Sequence, residues 1–297
     1  MEVQISKLNT KNGGNMRDSV KIVLTLALPA IIIFIFFILP LGVSIQRSFE
    51  TITGENIGWS AYEEMFSDPS FLSAFQYTLL ISILSTIIAV TFALAVAMVL
   101  RRTFIGRRAA VFLFQFNASM PHISVASMIM LLLVPVGLMS SMSYQLGFID
   151  SSVMFPALVR GSSPVGTIIS LSWKFAPFIG LTILGVLMLS VPEYEQQAAT
   201  LGAGPVKRFF FILLPMVKPA LFSSAIICFA YAFGSYEVPW LLGTSDTLAK
   251  LSYDIFNDPM MLDKRQVSYA ISNFITLITM SLAAIYFWLM LPRGYNK

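Results

Sequence analysis

The sequence predicts an all-α membrane protein with six transmembrane helices, and three observations carry that prediction. Hydrophobic residues make up 57% of the 297 residues and charged residues only 11%, with a mean hydropathy of +0.78. A soluble domain carries about a quarter charged residues. Six apolar stretches also reach the roughly 20 residues that a helix needs to cross a hydrocarbon layer about 30 Å thick. Finally, lysine and arginine gather in alternate connections between those stretches.

The first stretch, 20–45, runs well past the apolar core of a secretory signal and has no small-x-small exit, so a retained helix is expected. The others cover 72–100, 109–136, 165–189, 216–234 and 270–291. Interior prolines (Pro29, Pro121, Pro177) are tolerable because neighbouring helices can satisfy the carbonyls they free. The polar, glycine-containing 1–19 segment reads as a loose tail, 20–291 as the membrane domain, and 292–297 as a second tail.

Orientation follows from charge. Thirteen of the 19 basic residues lie in the N-terminal arm, the 101–108 turn, the 190–218 connection and the C-terminus, whereas the remaining segments hold eleven of the 15 acidic ones. The positive-inside rule therefore places both termini and the 190–218 connection in the cytoplasm. The net charge of +4 reflects topology, and no basic face suited to nucleic acid is expected. Cys228 is the single cysteine and His122 the single histidine, which leaves no internal disulfide and no multi-histidine metal site. No phosphate loop, nucleophile elbow or zinc-protease signature occurs either. The chain is thus expected to be no enzyme, and any uphill work it performs must be driven by another subunit or an ion gradient.

Residues 191–219, VPEYEQQAATLGAGPVKRFFFILLPMVKP, form a polar interruption between two spans. Pro192 suits a helical first turn, where Glu193 and Glu195 meet the positive end of the helix dipole. Gly202-Ala203-Gly204-Pro205 reads as a turn, after which Pro205 opens a second short helix that Pro215 is expected to close. Phe209 to Ile212 would anchor that helix on the bundle. Ala198 and Gly202 share a thin face.

This segment resembles the cytoplasmic coupling loop of bacterial ABC importer permeases, E-A-A, three residues, G, nine residues, I-x-L-P. Ala198, Gly202, Ile212, Leu214 and Pro215 fall on that pattern, Gln196 and Gln197 occupy its first two positions, and Glu195 lies one residue early. The resemblance implies a type I importer bundle in the bacterial inner membrane, with the loop at 191–215 meeting two ATPase subunits. Glu195, Gln196, Ala198, Gly202, Ala203, Ile212, Leu214 and Pro215 would be the coupling residues. ATP and Mg would reside on those partners, with no cofactor on this chain. A second permease, homologous or a self copy, and an extracytoplasmic solute-binding protein would complete the assembly. FGSYEVPWLLG followed by TSDTLAKLSYDIF is similar to permeases of the polyamine, phosphonate, iron and thiamine group, with sugar permeases as the alternative. An ion-coupled secondary transporter is the competing class.

Four residues are candidates for the solute path. Lys174 lies nine positions into its span, where it either lines a cavity or snorkels to the surface. His122 follows Pro121 and either faces the path or satisfies a backbone carbonyl. Glu237 beside Tyr236 and Trp240 would greet a solute at the outer mouth, although aromatic residues there also form an interfacial belt.

Overall fold

A computed structural model describes residues 21, 23–50, 58–189 and 191–290. The expected tails at 1–19 and 292–297 lie outside the described residues. Among those described, the chain is helical with no strand, and six helices are long and apolar enough to span a bilayer.

The elements follow in chain order. Helix α1 is Val23–Ser48, α2 Ser60–Ser67, α3 Pro69–Leu100, α4 Arg107–Ser119, α5 His122–Leu133, α6 Leu138–Gln145, and α7 Val165–Leu189. Then come α8 Pro192–Thr200, α9 Pro205–Phe233, α10 Glu237–Leu242, α11 Leu248–Asn257 and α12 Arg265–Met290. The single third span expected over 109–136 is corrected to two helices, α4 and α5, broken at Met120–Pro121. Proline has no N–H to donate and its ring collides with the carbonyl four residues earlier, so the helix stops and restarts.

Helix α7 is the centre of the molecule, buried along most of its length and packed by α3, α4, α5, α9 and α10. Its closest neighbour is α3, which presents Ala89, Ala93 and Ala97 at a four-residue spacing, all fully buried. Lipid tails are as apolar as leucine, so helices in a membrane associate through close contact, which small residues permit. Gly180 of α7 packs closely against both α4 and α3. A Cβ there would lie 2.7 Å from the Phe114 ring and 3.5 Å from the Ala93 carbonyl oxygen. A second core, built on Phe71, Phe233, Ile271 and their neighbours, joins α3, α9, α11 and α12.

Pro215 does not close a short helix; this expectation is also corrected. Helix α9 runs unbroken from Pro205 to Phe233 through a π-helical turn at Phe209–Leu213. The carbonyl four residues before Pro215 belongs to Phe211, in the middle of that widened turn, where the ring no longer strikes it. The same solution appears in α1. A π turn at Phe34–Ile38 precedes Pro40, and the two stretches read FIFFILP and FFFILLP. Only part of the FFFI run anchors the bundle: Phe209 and Ile212 pack on the main core, while Phe210 and Phe211 point outward.

Helix α1 stands at the periphery with its apolar side chains exposed. Ser44 donates to Asn273 of α12 (2.9 Å), which donates back to the Ser44 carbonyl (3.1 Å). At the same end, Lys264 pairs with Glu64 (2.8 Å), and the Leu248 N–H caps onto Thr78 Oγ1 (2.9 Å).

Overpacking the α3–α7 contact costs about 1–3 kcal/mol. Ala93→Leu is therefore expected to lower the thermal midpoint of the purified protein, whereas a leucine at outward-facing Phe92 should leave it near wild type.

Candidate functional site

Two places gather the functional candidates: the 191–215 loop at the arginine-rich end, and an open cavity on the bundle. In the loop, Pro192 occupies the first turn of α8 and both Glu193 and Glu195 lie near its N-terminus, as the sequence indicates. Its C-terminus closes in a Schellman arrangement. The Gly202 N–H donates to the Ala199 carbonyl (3.0 Å) and the Ala203 N–H to the Ala198 carbonyl (2.9 Å). This geometry needs a left-handed residue, and Gly202 supplies it with φ of 81°. A Cβ at Gly202 would meet nothing within 4 Å, so backbone conformation rather than crowding selects glycine here.

The outward surface of α8 is mixed, with Glu193, Gln196, Gln197 and Thr200 exposed beside Tyr194, and apolar side chains continue past its end. Tyr194 and Leu201, seven residues apart and therefore stacked on one face, are 56% and 88% exposed, and Val206 just beyond the turn is 67% exposed. Gln196 is exposed, and Ala198 and Ala203 are half-buried. Ile212 and Leu214 sit above the loop, packed against the main core, and Pro215 is exposed within α9.

Glu195 turns the other way. Arg101, the residue that ends α3, donates to both of its carboxylate oxygens (2.6 and 3.2 Å), and Arg208 Nη1 lies 3.6 Å away. A two-point arginine fork is among the strongest side-chain contacts. The Arg101 hydrogen bonds hold the Glu195 carboxyl below the usual carboxylate range; partial burial works against them, and the charges of Arg101, Arg208 and Arg102 assist.

On the bundle, α4, α5, α7 and α9 line an open cavity of about 540 Å³ whose walls include Met120, His122, Lys174, Phe175, Thr182, Cys228 and Tyr231. Lys174 and His122 thus line the same cavity. Lys174 neither snorkels nor points freely into the space. Its ammonium donates to the carbonyls of Asn117 (3.0 Å) and Ala118 (2.8 Å), and to that of Met120. These are the open carbonyls where α4 breaks, and Asn117 is the residue whose carbonyl Pro121 leaves without an N–H. The exchange is reciprocal. Pro177 similarly orphans the carbonyl of Trp173, and Asn117 Nδ2 donates to it (2.8 Å). Three donors on an ammonium meet three acceptors, so Lys174 is saturated.

His122 stacks on Tyr231 with ring centroids 4.2 Å apart, and the Tyr231 hydroxyl donates to Glu237. Glu237 therefore belongs to this cavity through one intermediary. Tyr236 does not. It stacks against Tyr253 (4.5 Å) and Trp240 (6.2 Å) and lines a separate cavity of about 620 Å³ between α11 and α12. The sequence reading missed Arg101, Asn117, Tyr231 and the exposed pair Tyr194 and Leu201. Arg101 had a usable signal, because Glu193 and Glu195 are the only acids in the loops of the arginine-rich end.

Residues 89–291 match the family described as the binding-protein-dependent transport system inner membrane component. The chain belongs to that family. This permease is 29% identical over 210 residues to the sn-glycerol-3-phosphate transport system permease protein of Yersinia pestis, covering 67% of this chain and 68% of the relative. It is 25% identical over 261 residues to the sulfoquinovosyl glycerol transport system permease protein of Agrobacterium fabrum, covering 78% and 79%. It is 26% identical over 215 residues to the sulfate transport system permease protein of Salmonella typhimurium, covering 71% and 72%. In fold it is similar to a chain of a bacterial ABC transporter involved in the import of the acidic polysaccharide alginate. The TM-score is 0.74 at 19% identity, over 93% of this permease and 98% of that chain. The type I importer architecture expected from the sequence is thereby shown. The polyamine and phosphonate branch gains no support, and the sugar-type alternative fits these relatives better.

Removing the Lys174 ammonium orphans three buried carbonyls, each worth about 1–3 kcal/mol. Lys174→Met is expected to lower thermal stability more than Thr182→Val, a substitution on the same cavity wall. Gly202→Ala forces a left-handed alanine costing about 1–2 kcal/mol, and faster amide exchange confined to 192–203 would report the frayed α8.

Proposed function

We propose that this permease forms half of the solute path of an ATP-driven importer and is coupled to two ATPase subunits through 191–215. Its partner across the path is a homologous permease or a second copy of itself, and an extracytoplasmic binding protein delivers the solute. Both termini and the loop lie in the cytoplasm, following the basic residues. ATP and Mg belong to the partners, because this chain carries no phosphate loop. One observation carries the reading: α8 is a capped helix that exposes Tyr194, Leu201 and, beyond its turn, Val206 while its base is tied to the bundle. A short capped helix flanked by exposed apolar side chains suits a groove on a partner.

The solute is an anionic, hydroxylated one, of the sugar or polyol-ester type. Lys174 is buried with 7% exposure, and no carboxylate lies within ion-pair distance of it among the described residues. Its charge, offset in part by the carbonyls at the C-terminal end of α4, still gives the cavity a positive wall, which a polyamine would oppose and an acid would meet. Its donors being occupied, it acts at a distance. The relatives named for glycerol-3-phosphate, sulfoquinovosyl glycerol and sulfate all carry anions.

Purification of the permease with its co-expressed ATPase and binding protein tests this. The expected complex shows vanadate-sensitive ATP hydrolysis, and Leu201→Glu sheds the ATPase subunits without loss of membrane insertion. Uptake by vesicles is expected to be competed by sugar phosphates or sulfonates and not by spermidine. Uptake driven by an ion gradient with no ATPase present would overturn the assignment, and competition by spermidine alone would overturn the solute class.

A further inference from the structure

Few side chains of helix α8 are covered by the rest of the chain. Apart from Glu195 and half-buried Ala198, its residues from Pro192 to Thr200 are exposed, and the turn after it is a glycine-led reversal. A helix held only at its ends transmits little force to the spans behind it. Glu195 is its one charged tie inward, and it reaches two helices at once. Arg101 ends α3, and Arg208 lies in the first turn of α9.

Helix α3 is the longest among the described residues and touches both functional regions. Its middle carries the Ala89, Ala93 and Ala97 face packed on α7, the helix that bears Lys174. Toward its other end, Thr78 accepts from the Leu248 N–H and so holds the start of α11. The turn after Arg101 is itself fastened, because Arg107 Nε donates to the Leu100 carbonyl (2.7 Å). A load applied to α8 therefore has a direct polar route into α3, separate from the covalent route through Gly202 into α9.

We propose that Glu195 is a positioning residue, an internal strut that locks the coupling helix to α3 and α9 so that ATPase movement reaches both, and that it makes no docking contact with the ATPase. The assignment rests on the coupling role proposed above for 191–215. It is distinct from that role, since docking is left to the Tyr194, Leu201 and Val206 surface. Three arginines surround one carboxylate here (Arg101, Arg208 and, farther off, Arg102), so neutralising Glu195 also leaves like charges facing one another.

The test uses the complete transporter, with ATPase and binding protein, in proteoliposomes. Glu195→Gln and Arg101→Ala are expected to keep the ATPase subunits through purification while uptake per ATP hydrolysed falls at least fivefold. The reversed pair, Arg101→Glu with Glu195→Arg, is expected to regain at least half of the wild-type ratio. Glu195→Asp keeps the charge but shortens the reach, and should give an intermediate ratio at a near wild-type thermal midpoint, which guards against variants that fail to fold. Single variants within twofold of the wild-type ratio would overturn the strut. So would a reversed pair no better than either single change, or loss of ATPase subunits from the single variants, which would make Glu195 a docking residue. A wild-type permease that binds no ATPase would instead remove the coupling role itself, a result readable before any variant is made.

Discussion

A carbonyl in hydrocarbon must find a donor within the protein, because no water is present to supply one. The middle of this permease is organised around two such carbonyls. Pro121 frees that of Asn117, and Lys174 takes it; Pro177 frees that of Trp173, and Asn117 takes that one. Each proline damages its own helix, and the neighbouring helix makes the repair. Spans three and four are thereby stitched together across residues 117–121 and 173–177. A charged side chain at this depth is expensive when unpaired. Here it is neutralised in part by lying at the negative, C-terminal end of α4, where a helix favours a cation. The cavity inherits a fixed positive wall from what is in the first place a backbone repair.

Two other prolines are handled within single helices. In α1 and α9 one surplus residue widens the turn before Pro40 and Pro215, and the helix continues. Two mechanisms thus serve the same constraint, and they have different consequences. A break capped by another helix creates polar groups that line a space, whereas a π turn keeps the helix continuous and its polar groups covered. The broken helix lies on the cavity and both π turns lie away from it.

The six spans were legible because length and polarity report them directly, and 165–189 was placed to the residue. Gly202 and the start of α8 were legible for a similar reason: both obey local rules about positive φ and helix ends. The third span was misread as continuous although Pro121 was noticed. What happens at a proline depends on whether a donor arrives from elsewhere, and Lys174 arrives from more than fifty residues away. Pro215 was misread because the carbonyl it must avoid is displaced by a π turn, and no residue type announces one. Glu195 was identified as part of the loop, but its direction was hidden. The polar residues of α8 give no hint of which one turns inward, and only the bundle behind it reveals that Arg101 claims the carboxylate.

Helix α1 contributes no residue to either hydrophobic core and fastens to α12 by a pair of polar contacts near one end. Its outward surface is therefore free of packing against the rest of this chain. Substitutions there can change side-chain length and shape without disturbing either hydrophobic core of this chain. It is an outrigger, lashed on near one end.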